Sequence, residues 1–359
     1  MIKIIQDWFR RYFSDPEVAI LALLLMFGFA GVIIFGAMLA PVIASIVIAY
    51  LLEGLVAKIV AHLGLPRIIT VLIVFTTFML LLIFLIFGLL PMLSRQVSEL
   101  VQQLPQMVSE GQKALMLLPE KYPTFISPEQ VQELMVGIRN ELGVLGQRVV
   151  SLSLSSLVGI LTLFVYLFLM PLLVFFFLKD KVRILSWVTG YLPQARGLAS
   201  KVWKDVDVQI GNYVRGKFWE ILIVWLATFL TFAFMGQKYA MLLGLMVGLS
   251  VLIPYVGATV VTIPVAIIAY FQWGAGPDFI WVMVAYGIVQ AFDGMLLVPL
   301  LFSEVVNLHP IAIVVAILMF GGLWGFWGVF FAIPLATLVQ SVLHAWPRVK
   351  DMQEEAVSE

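Results

Sequence analysis

The chain contains no cysteine and only 3 histidines among its 359 residues. Disulfides, thiolate metal sites and cysteine nucleophiles are therefore excluded, and we expect no metal site and no cofactor. Charged residues make up 12% of the sequence, and 21 Lys and Arg balance 21 Asp and Glu. This balance gives no reason to expect a nucleic-acid partner.

Motifs that bind nucleotides or carry out hydrolysis are also missing. The sequence has no GxxxxGK[ST] loop for ATP, no HExxH zinc motif and no GxSxG nucleophile motif. We also expect no pair of acidic residues deep in the apolar segments. The sequence therefore does not predict an enzyme.

Long apolar runs dominate the chain, of which 62% is hydrophobic, well above the usual content of soluble domains. A membrane helix needs about 20 apolar residues, and the runs predict an all-α polytopic membrane protein with about eight helical membrane segments. Because Gly36 and Pro41 interrupt the first run, we expect two helices there, joined by a tight turn. The runs cover residues 18–52, 68–90, 152–178, 218–235, 240–254, 255–271, 279–302 and 310–343.

Lys and Arg near the ends of the runs predict which side each loop faces. They concentrate just after residue 178, which indicates a cytoplasmic connector and a multi-pass protein of the bacterial inner membrane with both termini in the cytoplasm. Residues 92–150, which we expect on the outer side, contain apolar residues at helical spacing and a capping box at Ser127–Gln130. This segment is therefore either a helical subdomain or a loosely ordered loop. The predicted division is a cytoplasmic interfacial helix or frayed tail at 1–17, N-terminal membrane helices at 18–91, an extracytoplasmic helical subdomain at 92–150, a membrane helix at 151–178, a cytoplasmic connector at 179–217, C-terminal membrane helices with broken segments at 218–345, and a cytoplasmic tail at 346–359.

Two late apolar stretches, residues 240–271 and 310–343, are each interrupted near the middle. Proline removes a backbone donor and glycine makes unwound backbone sterically cheap. Paired interruptions of this kind indicate a transport site, because the ends of half-helices leave backbone amides and carbonyls free. We expect re-entrant hairpins that open to opposite sides; kinked spans and simple close helix packing are the alternatives. The residues at the breaks are Pro254, Tyr255, Gly257, Gly321, Gly322, Trp324 and Gly325.

Asp293 lies with Gln290 inside an otherwise apolar helix. A carboxylate in that environment is costly, so it is interpreted as a carrier of a proton or cation. The alternative is an ion pair with a residue such as Lys217 or Arg215.

Two further groups of polar residues flank these segments. Gln209, Tyr213 and Lys217 are spaced four apart and predict a polar stripe on one helix face, which either anchors the helix at the interface or gates an anionic substrate. A polar connector before the last stretch contains Glu304, Asn307 and His309. His309 either titrates near neutral pH or caps a turn.

Several of these segments resemble the autoinducer-2 exporter family. The resemblance lies in residues 209–217, 254–258, 290–299, 308–310 and 321–334 and is weakest across residues 92–150. It implies a cytoplasmic-membrane transporter, homo-oligomeric, with about eight helical segments, that exports small molecules or exchanges cations for protons.

The leading hypothesis is therefore a secondary transporter of a small solute or signalling molecule, coupled to protons or sodium. Membrane lipids, the solute and further copies of the chain are the expected partners. The alternatives are a sodium–proton antiporter and a passive oligomeric pore with a filter at residues 321–328. A receptor or scaffold that acts through residues 92–150 is a further alternative.

Overall fold

A computed structural model of the chain describes residues 16–121, 157–193, 197–254, 256–302 and 308–345, together with positions 127, 129–133, 136–137, 140 and 143–144. Two π-helical turns, Leu85–Leu89 and Asp293–Leu297, follow α2 and α9. The helices are α1 (Pro16–Leu63), α2 (Arg67–Phe84), α3 (Leu90–Lys121), α4 (Leu157–Lys179), α5 (Lys181–Gly190), α6 (Gly197–Phe234), α7 (Ala240–Ser250), α8 (Val256–Trp273), α9 (Pro277–Phe292), α10 (Val298–Phe302), α11 (Pro310–Phe330) and α12 (Ala332–Ala345).

The described residues contain helices and turns and no strand. Among them, 7 helical segments are long and apolar enough to cross a membrane. Their lipid-facing surfaces carry many exposed apolar side chains, as expected where acyl chains replace water. The prediction of an all-α polytopic membrane protein is confirmed.

The first helix corrects the predicted turn at Gly36 and Pro41. Helical residues run continuously through both positions, and α1 spans 48 residues. It is nevertheless sharply bent, as its contacts with two adjacent residues of α6 show. Leu21 packs in one cluster with Val206, and the Tyr50 hydroxyl donates a hydrogen bond to Asp207. In a straight helix, Leu21 and Tyr50 would lie about 44 Å apart. Proline is tolerated inside membrane helices, where it bends the axis instead of ending the helix.

Basic residues from distant parts of the chain meet on one side of the molecule, here called the basic face. Glu53 of α1 accepts from Arg67 at 2.9 Å and pairs with Lys181 at 3.6 Å. Further along, the Glu17 carboxylate accepts from the backbone amides of Gly197 (3.1 Å) and Leu198 (2.8 Å). The start of α2 and the end of α4 therefore lie together at Glu53, and the starts of α1 and α6 lie together at Glu17.

The segment after α2 begins as a direct extension of that membrane helix. The π-helical turn joins α2 to α3 without a break, and α3 continues through Pro105 to Lys121. Beyond it, the Ser127 amide donates to Gln130 Oε1 at 3.0 Å, and the Gln130 amide donates to Ser127 Oγ at 3.3 Å. The predicted capping box is confirmed.

The first broken stretch forms a helix–turn–helix hairpin made of α7 and α8, called hairpin A. Its open end lies beside the end of α6, where Gln272 donates to the Gly236 carbonyl at 2.7 Å. Its tip lies deep against α6, because Gly248 packs on the backbone of Ile221 and Trp225. A tight turn closes the tip where Gly257 packs on the Ser250 carbonyl oxygen.

The second broken stretch, α11 and α12, also forms a hairpin, called hairpin B. Its reversal lies inside α11, so the second arm consists of the end of α11 together with α12. The chain reverses at Gly325, which has a positive φ of 58°, and Gly328 packs on the Phe320 carbonyl oxygen. Its open end lies at the start of α6, because Leu338 and Val342 pack with Leu21 and Val202. Hairpins A and B therefore enter from opposite ends of α6, as predicted, and α9 with α10 runs between them.

Candidate functional site

Three ionisable side chains are buried together between α6 and the α9–α10 segment. Lys217 is 4% exposed, Glu220 2% and Asp293 9%, and we call these three residues the charge cluster. A side chain with a full charge is expensive to remove from water unless it is paired and hydrogen-bonded. Their common burial therefore points to a function and not to chance.

The Lys217 ammonium group connects the charge cluster to the tip of hairpin A. Nζ donates to Glu220 Oε2 at 2.7 Å and to the backbone carbonyl of Val251 at 2.7 Å. It also lies over the Phe302 ring, 5.3 Å from the ring centroid. Since Val251 follows the last residue of α7, the positive charge sits at the carbonyl end of that helix, where it is favoured.

Asp293 is the unbalanced member of the charge cluster. Its Oδ1 is buried and has no hydrogen-bond partner among the described residues. The residue begins the π-helical turn Asp293–Leu297, and such turns frequently mark functional positions in membrane and soluble helices. With both acids ionised, the charge cluster carries one more negative than positive charge, so it is neutral only when it holds a proton or a cation.

The pairing differs from the alternatives considered for Asp293. Lys217 bonds to Glu220 and not to Asp293, and Arg215 donates instead to Asn212 Oδ1 at 2.8 Å. The expectation that the apolar segments contain no pair of buried acids is therefore wrong. Glu220 was missed, although its position three residues after Lys217 places both side chains on one helix face.

The predicted polar stripe on α6, Gln209, Tyr213 and Lys217, is mostly buried. Tyr213 is 1% exposed and packs between Phe302 and Phe330, with ring centroids at 5.9 and 6.2 Å. Gln209, one turn earlier, is half-buried, and its Oε1 has no partner in the described part of the chain. The stripe therefore faces the interior of the bundle, which does not support interfacial anchoring by Lys217.

A chain of hydrogen bonds joins Gln290 to the start of α8. Gln290 Nε2 donates to the Tyr286 hydroxyl at 2.8 Å, and this hydroxyl lies 3.0 Å from the Thr262 hydroxyl. Thr262 in turn donates to the Ala258 carbonyl at 2.7 Å. Gln290 therefore ties α9 to the arm of hairpin A that follows the tip.

The other residues of the first tip have structural roles. Pro254 lies in the turn and is half-buried, and Gly257 provides the close approach to Ser250. Tyr255 lies outside the described residues.

Trp324 at the tip of hairpin B packs against other aromatic side chains. Trp324 stacks on Phe29 and Phe320, with centroids at 5.6 and 5.8 Å, and its indole N–H has no described partner. Gly322 and Gly325 are exposed, and Gly321 packs on Val329. The structure therefore brings Lys217 to the tip of hairpin A, whereas Gly321, Gly322, Trp324 and Gly325 lie at the tip of hairpin B.

His309 caps a helix. It precedes the first residue of α11, and its Nδ1 accepts from the Ile311 amide at 3.3 Å. The side chain is exposed, so of the two interpretations the cap is the one that the geometry supports. Glu304 and Asn307 lie outside the described residues. No group of three or more metal-binding side chains occurs among the described residues.

Comparison with known proteins gives matches along nearly the whole chain. Residues 21–348 match the family model described as AI-2E family transporter. The chain is 46% identical to PerM of Escherichia coli K12, over 99% of this chain and 100% of PerM. Two Bacillus subtilis proteins are more distant: YueF is 27% identical over 77% of this chain and 76% of YueF, and YrrI is 28% identical over 84% of each chain. PerM has the name of a permease, and the other two are named as transport proteins.

Proposed function

The chain belongs to the AI-2E transporter family, and on that premise we propose that it is a secondary transporter of the inner membrane that couples the export of a small solute to protons or sodium ions. The observation that carries the coupling is the excess acid in the charge cluster. A buried site with two carboxylates and one ammonium group is neutral only with one added cation. Binding and release of that cation would change the charge at the tip of hairpin A.

The two opposed hairpins supply the second part of the proposal. Hairpin A opens at the end of α6 and hairpin B at its start, so each tip can close the path from one side. Broken helices that meet near the middle of a membrane bundle are typical of transporters with alternating access. The solute would pass between the two hairpin tips. Helices α9 and α10 lie between the two hairpins.

We propose that the basic face is cytoplasmic. Arg67 and Lys181 lie on this face, and membrane proteins concentrate Lys and Arg in cytoplasmic loops. Both termini and the connector from residue 179 to the start of α6 then lie inside, and residues 92–150 lie outside. We further propose a homo-oligomer, which the resemblance to the family implies.

Purified protein in lipid vesicles tests the coupling. The vesicles contain a pH-sensitive dye and a mixture of small polar metabolites, and solute loss is followed by mass spectrometry with and without a proton or sodium gradient. We expect gradient-dependent solute loss that Asp293→Asn abolishes. Asp278→Asn is the matched control, because Asp278 is an exposed acid in the first turn of α9.

A passive pore is the second candidate, favoured by the exposed backbone of Gly322 and Gly325 at the tip of hairpin B. Such a pore would give ohmic currents in planar bilayers and solute loss without any gradient. Equal loss in wild type and Asp293→Asn would overturn the coupled mechanism.

A further inference from the structure

The Lys217 ammonium group forms the polar link between the charge cluster and the tip of hairpin A. It holds the Val251 carbonyl at 2.7 Å, and this carbonyl lies at the end of α7, where the last carbonyl groups have no partner within the helix. It also donates to Glu220 Oε2, at 2.7 Å. An ammonium group has three donors, so both bonds together leave one N–H for a further acceptor.

Asp293 is a buried acid beside α6 that lacks a described donor for one of its carboxylate oxygens. It is 9% exposed, its Oδ1 has no described hydrogen-bond partner, and the π-helical turn that it begins packs against α6, the helix that carries Lys217. A buried carboxylate oxygen without a donor is costly, and a shift of the flexible lysine chain would satisfy it. The single ammonium group thus faces two acids and can fully neutralise one.

We propose that Lys217 is a latch that alternates between the two acids. In the latched arrangement it bonds to Glu220 and to the Val251 carbonyl, as the structure shows, and holds the tip of hairpin A on α6. In the released arrangement it bonds to Asp293 and lets the Val251 carbonyl go. The trigger of this exchange rests on the proposed function. A cation that neutralises Glu220 removes the attraction that holds Lys217 there, so Lys217 moves to Asp293 and the tip opens.

The surroundings of Lys217 restrict what can drive this exchange. On α6 the buried Tyr213 hydroxyl belongs to the residue one turn before Lys217, and the neighbouring Arg215 donates to Asn212 Oδ1 at 2.8 Å. The α9–α10 segment contributes Asp293 as a charge and Phe302 as a ring. Helix α7 carries no titratable side chain. The balance between Glu220 and Asp293 therefore decides where the ammonium group lies.

Thiol labelling in this cysteine-free chain tests the latch without any transport measurement. Ile253→Cys places a half-buried thiol at the tip, and Lys238→Cys places an exposed one at the open end of the same hairpin. Each is combined with Glu220→Gln or Asp293→Asn in lipid nanodiscs, and the alkylation rate is measured with a water-soluble maleimide. Glu220→Gln should raise the rate at position 253 several-fold, and Asp293→Asn should lower it. The rate at position 238 should not change.

A third background separates the latch from general loosening of the fold. Lys217→Met removes the ammonium group, so adding Glu220→Gln should no longer change the rate at position 253. Unchanged thermal unfolding of the Gln and Asn variants excludes a folding defect, and these two variants suffice if Lys217→Met does not fold. Equal rates in the wild-type, Gln and Asn backgrounds, or the reverse order, would overturn the latch.

The two proposals fail in different ways. Labelling that follows the predicted order in a protein that shows no gradient-coupled solute loss would support the latch and refute secondary transport. Coupled solute loss with labelling rates that ignore Glu220 and Asp293 would do the opposite.

Discussion

Gly257 packs directly on the backbone carbonyl oxygen of Ser250, so closely that a Cβ atom at this position would overlap the oxygen. Gly328 and Phe320 repeat this contact in hairpin B. Each hairpin turn thus depends on one glycine that follows the reversal and meets the carbonyl of the incoming arm. The absence of a side chain is what allows the two arms to meet.

Gly257→Ala should destabilise the protein by about 1–3 kcal/mol, the usual cost of forcing an atom into a packed contact. A shifted or opened hairpin A should also lower solute transport. Thermal unfolding in detergent measures the first effect. Gly287→Ala is the control, because a Cβ there meets nothing within 4 Å, and it should leave the unfolding temperature unchanged or slightly raised. Equal behaviour of the two variants would contradict the tight turn.

Gly325→Ala should cost about 1–3 kcal/mol for a different reason, since its φ of 58° is a conformation that side chains disfavour. No atom obstructs the new methyl group within 4 Å, so the effect is one of backbone strain alone. Gly322→Ala, a few residues earlier in helical backbone and equally unobstructed, should be neutral. Chemical denaturation or thermal scanning of both variants checks the difference.

Lys217→Met should be the most destabilising change in the charge cluster, by about 3–5 kcal/mol, because it leaves two buried acids without a base. Asp293→Asn should leave stability unchanged or raise it, since the Lys217–Glu220 pair remains and the excess charge is removed. Lys238→Met is the exposed control after α6. A stable Lys217→Met protein would show that the acids are not held as charges.

Gln96 connects α3 to hairpin A, because its Oε1 accepts from the Leu242 amide in the first turn of α7 at 2.9 Å. Gln96→Ala removes this helix-capping bond and should cost about 1 kcal/mol. It should also increase hydrogen exchange of the first α7 amides, which deuterium labelling with mass spectrometry can follow. Gln102→Ala, an exposed glutamine of the same α3 helix, should change neither quantity.

Membrane sidedness can be read from three exposed positions, Lys58, Gln102 and Arg183. In intact inner-membrane spheroplasts, an impermeant maleimide should label Gln102→Cys alone. Lys58→Cys and Arg183→Cys should react only after permeabilisation, since Glu53, Arg67 and Lys181 tie their neighbourhoods together on one face. Labelling of Lys58→Cys and Gln102→Cys from the same side would contradict the arrangement.

The sequence predicts the hairpins well because their cause is local. Pro254 and the glycines at 321–328 restrict or free the backbone wherever they occur, so the breaks and their opposite facing could be inferred from composition and span parity. At Pro41 the sequence predicts a turn, whereas the structure has a continuous helix, because the outcome at this proline depends on its neighbours. Ser45, one turn later, donates to Pro41 O at 2.6 Å and to Met170 O at 3.2 Å, which secures the continuous helix against α4.

The charge cluster was only half predictable. Asp293 is conspicuous as an acid in an apolar helix, whereas Glu220 lies beside Trp219 and close to several basic residues, where a surface role is equally plausible from sequence. Its partner at Lys217 follows from helical spacing, but the Val251 carbonyl does not, because a backbone acceptor leaves no mark on the sequence. Tertiary packing supplies that information.

Asp293 and Met295 stand two residues apart in one π-helical turn, yet Asp293 is 9% exposed and Met295 is 82% exposed. On that side, a single helix therefore separates the buried carboxylate from the surroundings of the protein. The acyl chains or second subunit against Met295 complete the dielectric shell of the site, and the strength of each charge interaction depends on how dry that shell is. Lipid thickness and detergent choice thus become electrostatic variables of the protein itself.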